Sequence, residues 1–387
     1  MRLRHGLHLA YCTNIAAADS WEETFAFLDG PLRAARDRVC AERPFDGPFA
    51  IGLRLSDRAS RELASDRGAR TAFRRWLDRE RMYVFTINGF PFGRFHGGPV
   101  KEQVYRPDWA DPARLDYTIR LFDLLSEFLP DGTPGSVSTL PGSFKEFAPD
   151  EPAMRRNLWA CIDHLEALCD RTGQDLHLGL EPEPLGWFET SEETVEFFGR
   201  LGEDRPCDPR LARFVGVNYD TCHLAVEFEE PSDALVRFRS AGIRISKLHL
   251  SSALAVAPSR SARLALAGFA DDVYLHQVVA RGPLGLRRFR DLPDALAADP
   301  SAVPEEWRIH FHIPLHTGQS NWFTPTIPHL LGVLDALAAD PALCAHLEME
   351  TYTWGVLPAG LRSASIDHQI AAEYAWVLDR LAERGLA

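Results

Sequence analysis

The sequence feature that most constrains the fold is a buried strand that ends in an ionisable residue. Residues 214–219 are mostly apolar or small, Asp220 follows them directly, and His223 comes three positions later. Strands buried in parallel sheets are near-continuous apolar runs, so an ionisable side chain at the end of one is unlikely to serve packing alone. The segment therefore predicts a parallel α/β architecture whose strand ends carry the chemistry.

The same arrangement occurs at three further strand ends. Glu181, His249 and Glu350 each end or follow a short strand-like run. Three carboxylates and one imidazole suit Mn²⁺, Mg²⁺, Zn²⁺ or Co²⁺ better than a soft metal. Together with Asp220, these residues predict a site for one divalent cation of unknown identity.

Two of the four ligand positions have a rival close by. Side chains at i and i+2 share one face of a strand, so Glu348 competes with Glu350. Glu350 is preferred because it lies nearer the C-terminal end of its strand, where barrel active sites are found. On the other strand Glu183 competes with Glu181. The proline between them cannot donate to a sheet ladder, so the strand is expected to end near Glu181, with Glu183 in the loop above.

Strand-like and helix-like segments alternate along the chain, which is typical of a parallel sheet covered by helices. Nine strand signals are present where a (β/α)8 TIM barrel needs eight, so one of them, the 310–312 segment or part of an insertion, is expected outside the barrel. We predict a single α/β TIM-barrel domain over residues 1–387, with an elaboration after strand seven at about 255–306. This elaboration and the Gly-, Pro- and aromatic-rich loop 90–108 are expected to cover the barrel mouth.

Composition narrows the class of protein. The formal net charge of −13 repels nucleic-acid phosphates. No uncharged apolar run reaches the roughly 18 residues that a membrane span needs, and the N-terminus lacks the apolar core of a signal peptide. Seven cysteines without a C-x-x-C pair indicate reduced thiols. We expect a cytoplasmic protein with no membrane insertion and no nucleic-acid partner; the sequence leaves its oligomeric state open.

Four aromatic residues next to strand ends are expected to line the pocket, and ordinary packing is the alternative role for them. They are Phe90, Phe92, Trp187 and Trp354. The histidines interpreted as structural are His8, His276, His310 and His312.

Seven short motifs, spread over nearly the whole chain, carry a family resemblance. They are residues 9–15, 86–91, 138–141, 180–184, 219–223, 274–277 and 348–354. With the strand-end residues they resemble the xylose-isomerase-like TIM barrels, a superfamily of sugar epimerases, inosose dehydratase and endonuclease-IV-type enzymes. The motifs more closely resemble the EboE-type "metabolite traffic" proteins, which are themselves sugar phosphate isomerase/epimerase-like barrels. The elaboration after strand seven is not typical of the simple epimerases.

The resemblance implies roles for the residues found above. The implied metal ligands are Glu181, Asp220, His249 and Glu350. Glu181 and Glu350 would exchange the substrate proton as base and acid. Glu183 is the alternative proton carrier, because a metal-bound carboxylate has a low pKa. The expected contacts to a sugar-like small-molecule substrate are His223, Glu183 and Trp187.

Three functions are compatible with these residues. The leading hypothesis is a metal-dependent isomerase or epimerase acting on a sugar-like polyol or its phosphate. The second is a non-catalytic metabolite-binding or traffic protein that keeps the barrel and the metal. The third, an endonuclease-IV-type repair enzyme, is disfavoured by the acidic charge and by the lack of that enzyme's larger histidine cluster on the early strands.

Overall fold

The fold is built from strands and helices that alternate for most of the chain. The structure, a computed structural model, describes residues 1–298 and 306–387. Its strands are β1 (His8–Tyr11), β2 (Phe49–Arg54), β3 (Met82–Asn88), β4 (Gly135–Thr139), β5 (Leu176–Leu180), β6 (Val215–Asp220), β7 (Arg244–Leu250), β8 (Leu254–Val256), β9 (Val278–Gly282), β10 (Gly285–Phe289), β11 (Glu306–Ile309), β12 (Thr324–Pro325) and β13 (His346–Met349).

The helices cover the outside of the barrel and part of the elaboration. They are α1 (Trp21–Phe27), α2 (Arg33–Glu42), α3 (Asp57–Ser65), α4 (Arg67–Glu80), α5 (Pro112–Phe128), α6 (Glu151–Thr172), α7 (Ser191–Glu203), α8 (Arg210–Phe214), α9 (Thr221–Val226), α10 (Pro231–Ser240), α11 (Arg260–Leu266), α12 (Leu292–Ala297), α13 (Ile327–Ala339) and α14 (Ile366–Ala382). Within the described ranges, none of them has the length and apolar character needed to cross a bilayer.

Eight strands form one parallel sheet in the order β1-β13-β7-β6-β5-β4-β3-β2. A parallel bridge between Cys12 and Gly52 brings the two outer strands together, so the sheet nearly closes on itself. Large apolar side chains from the strands and the surrounding helices form one continuous core between them. The predicted TIM barrel is therefore confirmed, and its geometry places the C-terminal ends of all eight strands around one mouth.

Local sequence signals set several helix boundaries. Ser20 accepts from the backbone N–H of Glu23, whose side chain accepts from Ser20 N, so a capping box begins α1. The charged segment at 57–80 is divided into α3 and α4. Asp66 lies between them and caps α4 by accepting from Ala69 N.

A second sheet of five strands, in the order β10-β9-β11-β8-β12, comes from the chain between β7 and β13. Its strands are antiparallel, and β9 and β10 form a hairpin, with Gly282 paired to Gly285. β11 lies in this sheet, so it is the strand signal that falls outside the barrel. The sheet spans 254–325, a longer stretch than the 255–306 expected from the sequence, of which residues 299–305 lie outside the described residues.

The barrel interior contains an ion pair as well as apolar side chains. Lys247 Nζ donates to Glu348 Oε2 and, at 2.8 Å, to Ser138 Oγ, and the Lys247 and Glu348 side chains are fully buried. Burial opposes the ionisation of Glu348, but Lys247 and His249 outweigh it and lower the pKa of Glu348 to about 2. Gly52 on β2 leaves the space that the Glu348 carboxylate fills.

Gly52→Ala is expected to destabilise the barrel. A Cβ at this position would lie 2.0 Å from Glu348 Oε1 and 2.8 Å from Tyr11 O, so the ion pair or the strand has to shift. We expect a loss of about 1–3 kcal/mol in the free energy of unfolding, measured by urea denaturation. Gly199→Ala is the matched control, because a Cβ there meets nothing within 4 Å and alanine favours the helix. Equal stability of the two variants would contradict the proposed packing of Glu348.

Candidate metal centre

The structure brings the four predicted ligands together at the barrel mouth. Asp220 is the last residue of β6, Glu181 and Glu350 directly follow β5 and β13, and His249 is the penultimate residue of β7. Each side chain offers one ligand atom, and these four atoms lie within 4.8 Å of one another. All four residues are buried. The chain therefore contains a candidate metal-binding cluster.

His249 points one nitrogen into the cluster and the other away from it. Its Nε2 lies 2.8 Å from Glu348 Oε2, so Nε2 donates a proton to that ionised carboxylate. Its Nδ1 lies 3.0 Å from Glu181 Oε1 and 3.3 Å from Glu350 Oε2. A neutral ring would direct its Nδ1 lone pair at these carboxylates; Asn218 Nδ2 lies 3.2 Å from Nδ1, but the carboxylates themselves favour a cation or a proton at this nitrogen. Burial lowers the pKa of His249, but Glu350 and Glu181 outweigh it and raise the pKa well above its ordinary value.

Asp220 keeps one carboxylate oxygen free. Its Oδ1 accepts from Cys222 N at 2.7 Å, from His223 N at 3.1 Å and from Ser251 Oγ at 2.5 Å. Its Oδ2 is buried and has no hydrogen-bond partner among the described residues. Burial opposes ionisation, but His223, His312 and His249 hold the pKa of Asp220 well below its usual range. A buried anionic oxygen without a donor is costly unless a cation binds it, so this atom fits a metal ligand.

Neutral amides orient the other two carboxylates. Asn218 Nδ2 donates to Glu181 Oε2 at 2.7 Å. Asn14 Nδ2 and Asn88 Nδ2 donate to Glu350 Oε1 at 2.7 and 2.9 Å. Each glutamate thus has one oxygen fixed by an amide and the other directed at His249 Nδ1. The sequence did not identify these asparagines as part of the site, although Asn88 ends a barrel strand and Asn14 closely follows one.

Both rival glutamates lie outside the four-residue cluster. Glu348 is deeper in the barrel and orients His249 from behind. Glu183 follows β5 in the loop and lines the cavity above the cluster. Burial, together with Glu181, Asp220 and Glu350, raises the pKa of Glu183 well above its ordinary value. Glu183 is therefore a buried carboxyl that holds its proton more tightly than usual.

A cavity lies directly above the cluster. Its volume, counted as the space open to the centre of a water molecule, is about 60 Å³. Loop 90–108 and the elaboration both contribute to its walls, and Val100 N and Lys101 N join the two by donating to Val273 O at 2.8 and 2.9 Å. The described residues that line it are Asn14, Asn88, Phe90, Pro91, Phe95, Val100, Lys101, Val104, Tyr105, Glu181, Glu183, His223, Tyr274, Leu275, Gln277, His310, Glu350 and Tyr352.

The aromatic residues expected in the pocket are only partly found there. Phe90 lines the cavity, whereas Trp187, Phe92 and Trp354 are not among its described lining residues. The Trp187 indole instead donates to Glu151 Oε2 at 2.8 Å, at the start of α6. The loop after β5 turns sharply at Leu185, which has a φ of 65°, before it reaches Trp187. The geometry thus supplies no contact between Trp187 and a ligand in this cavity.

His223 lines the cavity, and two histidines from the elaboration lie beside it. The ring centroids of His310 and His312 are 4.6 and 5.4 Å from that of His223. Both were interpreted as structural from the sequence. Their i, i+2 spacing directly after a strand was the signal available, because it places two imidazoles on one side of an extended segment.

Comparison with known proteins establishes the fold. The sequence matches no model of a known protein family, and a search of curated proteins finds no match. Among solved structures, an IolI protein with a bound zinc atom has a TM-score of 0.50 at 11% identity, covering 97% of this chain and 98% of its own. A D-tagatose 3-epimerase-like protein has a TM-score of 0.50 at 12% identity, covering 97% and 98%. The fold is that of the xylose isomerase-like TIM barrels.

A third structure supports the same assignment. A xylose isomerase domain protein from Alicyclobacillus acidocaldarius subsp. acidocaldarius has a TM-score of 0.51 at 12% identity, covering 98% of this chain and 100% of its own. Identities this low establish the architecture, while the chemistry has to be argued from the residues of this chain.

Glu348→Gln is expected to weaken metal binding without removing a ligand. The substitution removes the charge that holds His249 Nε2–H, and changes of this kind behind a ligand typically cost 10–100-fold in affinity. Titration calorimetry with Zn²⁺ or Mn²⁺ measures the effect. Glu189→Gln is the control, because Glu189 is also buried and paired with Lys145 and Arg288, away from the cluster. Equal affinities in both variants would contradict the role of Glu348.

Metal affinity is expected to rise with pH. In the metal-free protein, the raised pKa of His249 means that its protonation stabilises the fold at low pH, and this stabilisation is lost as pH rises through the folded-state pKa. A metal replaces that proton, so binding should release about one proton per ion. Calorimetry in two buffers of different ionisation enthalpy measures the release. Binding without proton release would contradict the protonated state of His249.

Proposed function

We propose that this protein is a metal-dependent isomerase or epimerase that acts on a sugar-like polyol. The observation that carries the proposal is the convergence of His249 Nδ1, the unpartnered Asp220 Oδ2 and two oriented glutamate oxygens beneath a cavity. The similarity in fold to a D-tagatose 3-epimerase-like protein agrees with this chemistry. Seven cysteines without a disulfide agree with action in the cytoplasm.

The residues present fit one divalent cation. Glu181, Asp220, His249 and Glu350 would hold it, and the fold-related IolI protein contains zinc. When bound, such a cation acts as a Lewis acid toward a carbonyl oxygen and acidifies the neighbouring C–H group. The protein's own contribution is to fix the ligands, to shield the site from water and to move the proton.

Three carboxyl groups are placed to move a proton. Glu181 and Glu350 each keep one oxygen on an amide donor and face the centre from β5 and β13, the arrangement that a base and an acid need. Glu183 lies above them, and burial raises its pKa, so that it can hold a proton that an ordinary carboxyl would lose. We assign the exchange to Glu181 and Glu350, with Glu183 as the alternative carrier and His223 as a substrate contact.

The cavity wall favours a substrate without a phosphate group. Lys101 is the one lysine or arginine among the described residues that line it. Its Nζ is already bound to Asp271 O and Tyr274 O, both at 2.8 Å, and to Asp291 Oδ2 at 2.6 Å. The remaining polar wall consists of carboxyl, amide, imidazole and phenol groups, which match the hydroxyls of a polyol.

The resemblance of seven motifs to the EboE-type metabolite traffic proteins supports a second candidate function. In this alternative the barrel and its metal bind the same class of metabolite without turnover. The two functions predict the same ligand and the same metal, and they differ only in whether a substrate proton exchanges with solvent.

Exchange of a substrate proton with solvent separates the two functions. With Mn²⁺ present, a panel of ketoses in D₂O is expected to take up deuterium at the carbon beside the carbonyl, as observed by NMR. Glu183→Gln is expected to lower this rate by about 10²–10⁴-fold if Glu183 carries the proton, while metal content is retained. A panel that binds but takes up no deuterium would support the carrier instead.

Asp220→Ala tests the metal on which both functions depend. The variant lacks the free oxygen and is expected to lose the near-stoichiometric metal of the wild type, measured by mass spectrometry after purification without chelator. A wild type that holds no metal even after soaking in Mn²⁺ or Zn²⁺ would contradict the proposed centre and its chemistry.

A further inference from the structure

Three imidazole rings form a second group of possible ligands beside the four-residue cluster. The ring centroids of His223, His310 and His312 lie 4.6, 5.3 and 5.4 Å apart in pairs. All three side chains are buried. His223 comes from α9 of the barrel, whereas the other two follow β11 of the second sheet. The elaboration thus adds two nitrogen donors to a site that the barrel strands begin.

Hydrogen bonds at the Nδ1 atoms fix how two of these rings present their other nitrogen. His223 Nδ1 lies 3.1 Å from Pro182 O, and His312 Nδ1 lies 2.8 Å from Glu350 O. A carbonyl oxygen only accepts, so both Nδ1 atoms carry a proton, and in a neutral ring the lone pair lies on Nε2. The two Nε2 atoms are 3.3 Å apart. Two lone pairs that face each other at this distance need a cation or a shared proton.

The third ring has the same tautomer for a different reason. Gln277 Nε2 donates to Pro184 O at 2.9 Å, which orients the amide so that its Oε1 accepts from His310 Nδ1 at 2.8 Å. His310 Nε2 is then the lone-pair nitrogen, and it is buried without a partner in the described part of the chain. Three independent acceptors therefore hold the Nδ1 proton of each imidazole, and Nε2 is the nitrogen that each ring can offer to a cation.

One carboxyl oxygen each of Asp220 and Glu183 lies near His223 Nε2. Asp220 Oδ2 and Glu183 Oε2 are each 4.0 Å from His223 Nε2. Asp220 Oδ2 and Glu183 Oε1 have no hydrogen-bond partner among the described residues. Ligand atoms of Asp220, His223 and His312 lie within 4.8 Å of one another, and so do those of Glu183, His223 and His310.

We propose that His223, His312 and Asp220 bind a second divalent cation, with His310 and Glu183 next to it. Two or three imidazoles with a carboxylate favour Zn²⁺ or Co²⁺ over Mg²⁺, which prefers oxygen ligands. The inference rests in part on the proposed function, because Asp220 would be shared with the first cation. A shared carboxylate places two Lewis acids under one cavity, as in two-metal enzymes that hold two substrate oxygens.

Metal stoichiometry tests the second site apart from the first. The full-length protein is loaded with Zn²⁺, freed of excess metal by gel filtration and analysed by mass spectrometry. The wild type is expected to hold about two equivalents, and His312→Asn and His249→Asn about one each, since each loses a different site. His329→Asn is the matched control, because His329 is a buried histidine that pairs with Tyr219 Oη outside both groups, and it should keep both metals.

The outcomes distinguish failure of this inference from failure of the proposed function. One equivalent in the wild type that His249→Asn removes and His312→Asn retains would overturn the second site only, and the imidazole pair would then share a proton. One equivalent that His312→Asn removes and His249→Asn retains would support the second site and overturn the first. No metal in any protein would overturn both. If circular dichroism shows that His312→Asn is unfolded, His223→Asn provides the same test, because it removes another of the proposed ligands.

Discussion

The site depends on an ion pair inside the barrel, between Lys247 and Glu348. A buried ion pair is costly to desolvate, and it persists where its remaining hydrogen-bonding capacity is used. Here Glu348 also accepts from His249 Nε2, and Lys247 donates to Ser138. The positive charge of Lys247 keeps Glu348 ionised, Glu348 fixes the proton of His249, and His249 therefore presents Nδ1 to the mouth. Lys247, two residues before His249 on β7, thus acts through Glu348 on which His249 nitrogen is available for a metal.

Charge compensation explains why neutral amides surround the cluster. Three carboxylates converge there, and an arginine or lysine among them would satisfy their charge without a metal. The structure instead uses Asn14, Asn88 and Asn218, which orient oxygens without adding charge. The compensating charge must then come from a cation or from the proton on His249, and these two compete for the same nitrogen.

The barrel and the convergence of the four strand-end residues were predictable, because strand parity and Pro182 fix where β5 and β13 end and which way their side chains point. The choice of Glu350 over Glu348 followed from depth along one strand. The closeness of His310 and His312 to His223 was not predictable, since it depends on how a second sheet folds back over the barrel. Trp187 lies outside the described cavity lining for a local reason, the sharp turn at Leu185, which sequence spacing does not reveal.

The elaboration contributes to the cavity wall and contacts the strand end that carries Glu350. His312 Nδ1 donates to the backbone carbonyl of Glu350, and its Nε2 lies 3.3 Å from His223 Nε2. Loop 90–108 is fastened to the same elaboration through Lys101 and Val273. A shift of the second sheet would therefore move an imidazole, a cavity wall and the strand end that carries Glu350 together. Because Asp220 faces both groups of ligands, any cation bound on one side changes the electrostatic potential on the other, and the two halves of the mouth act as one charged unit.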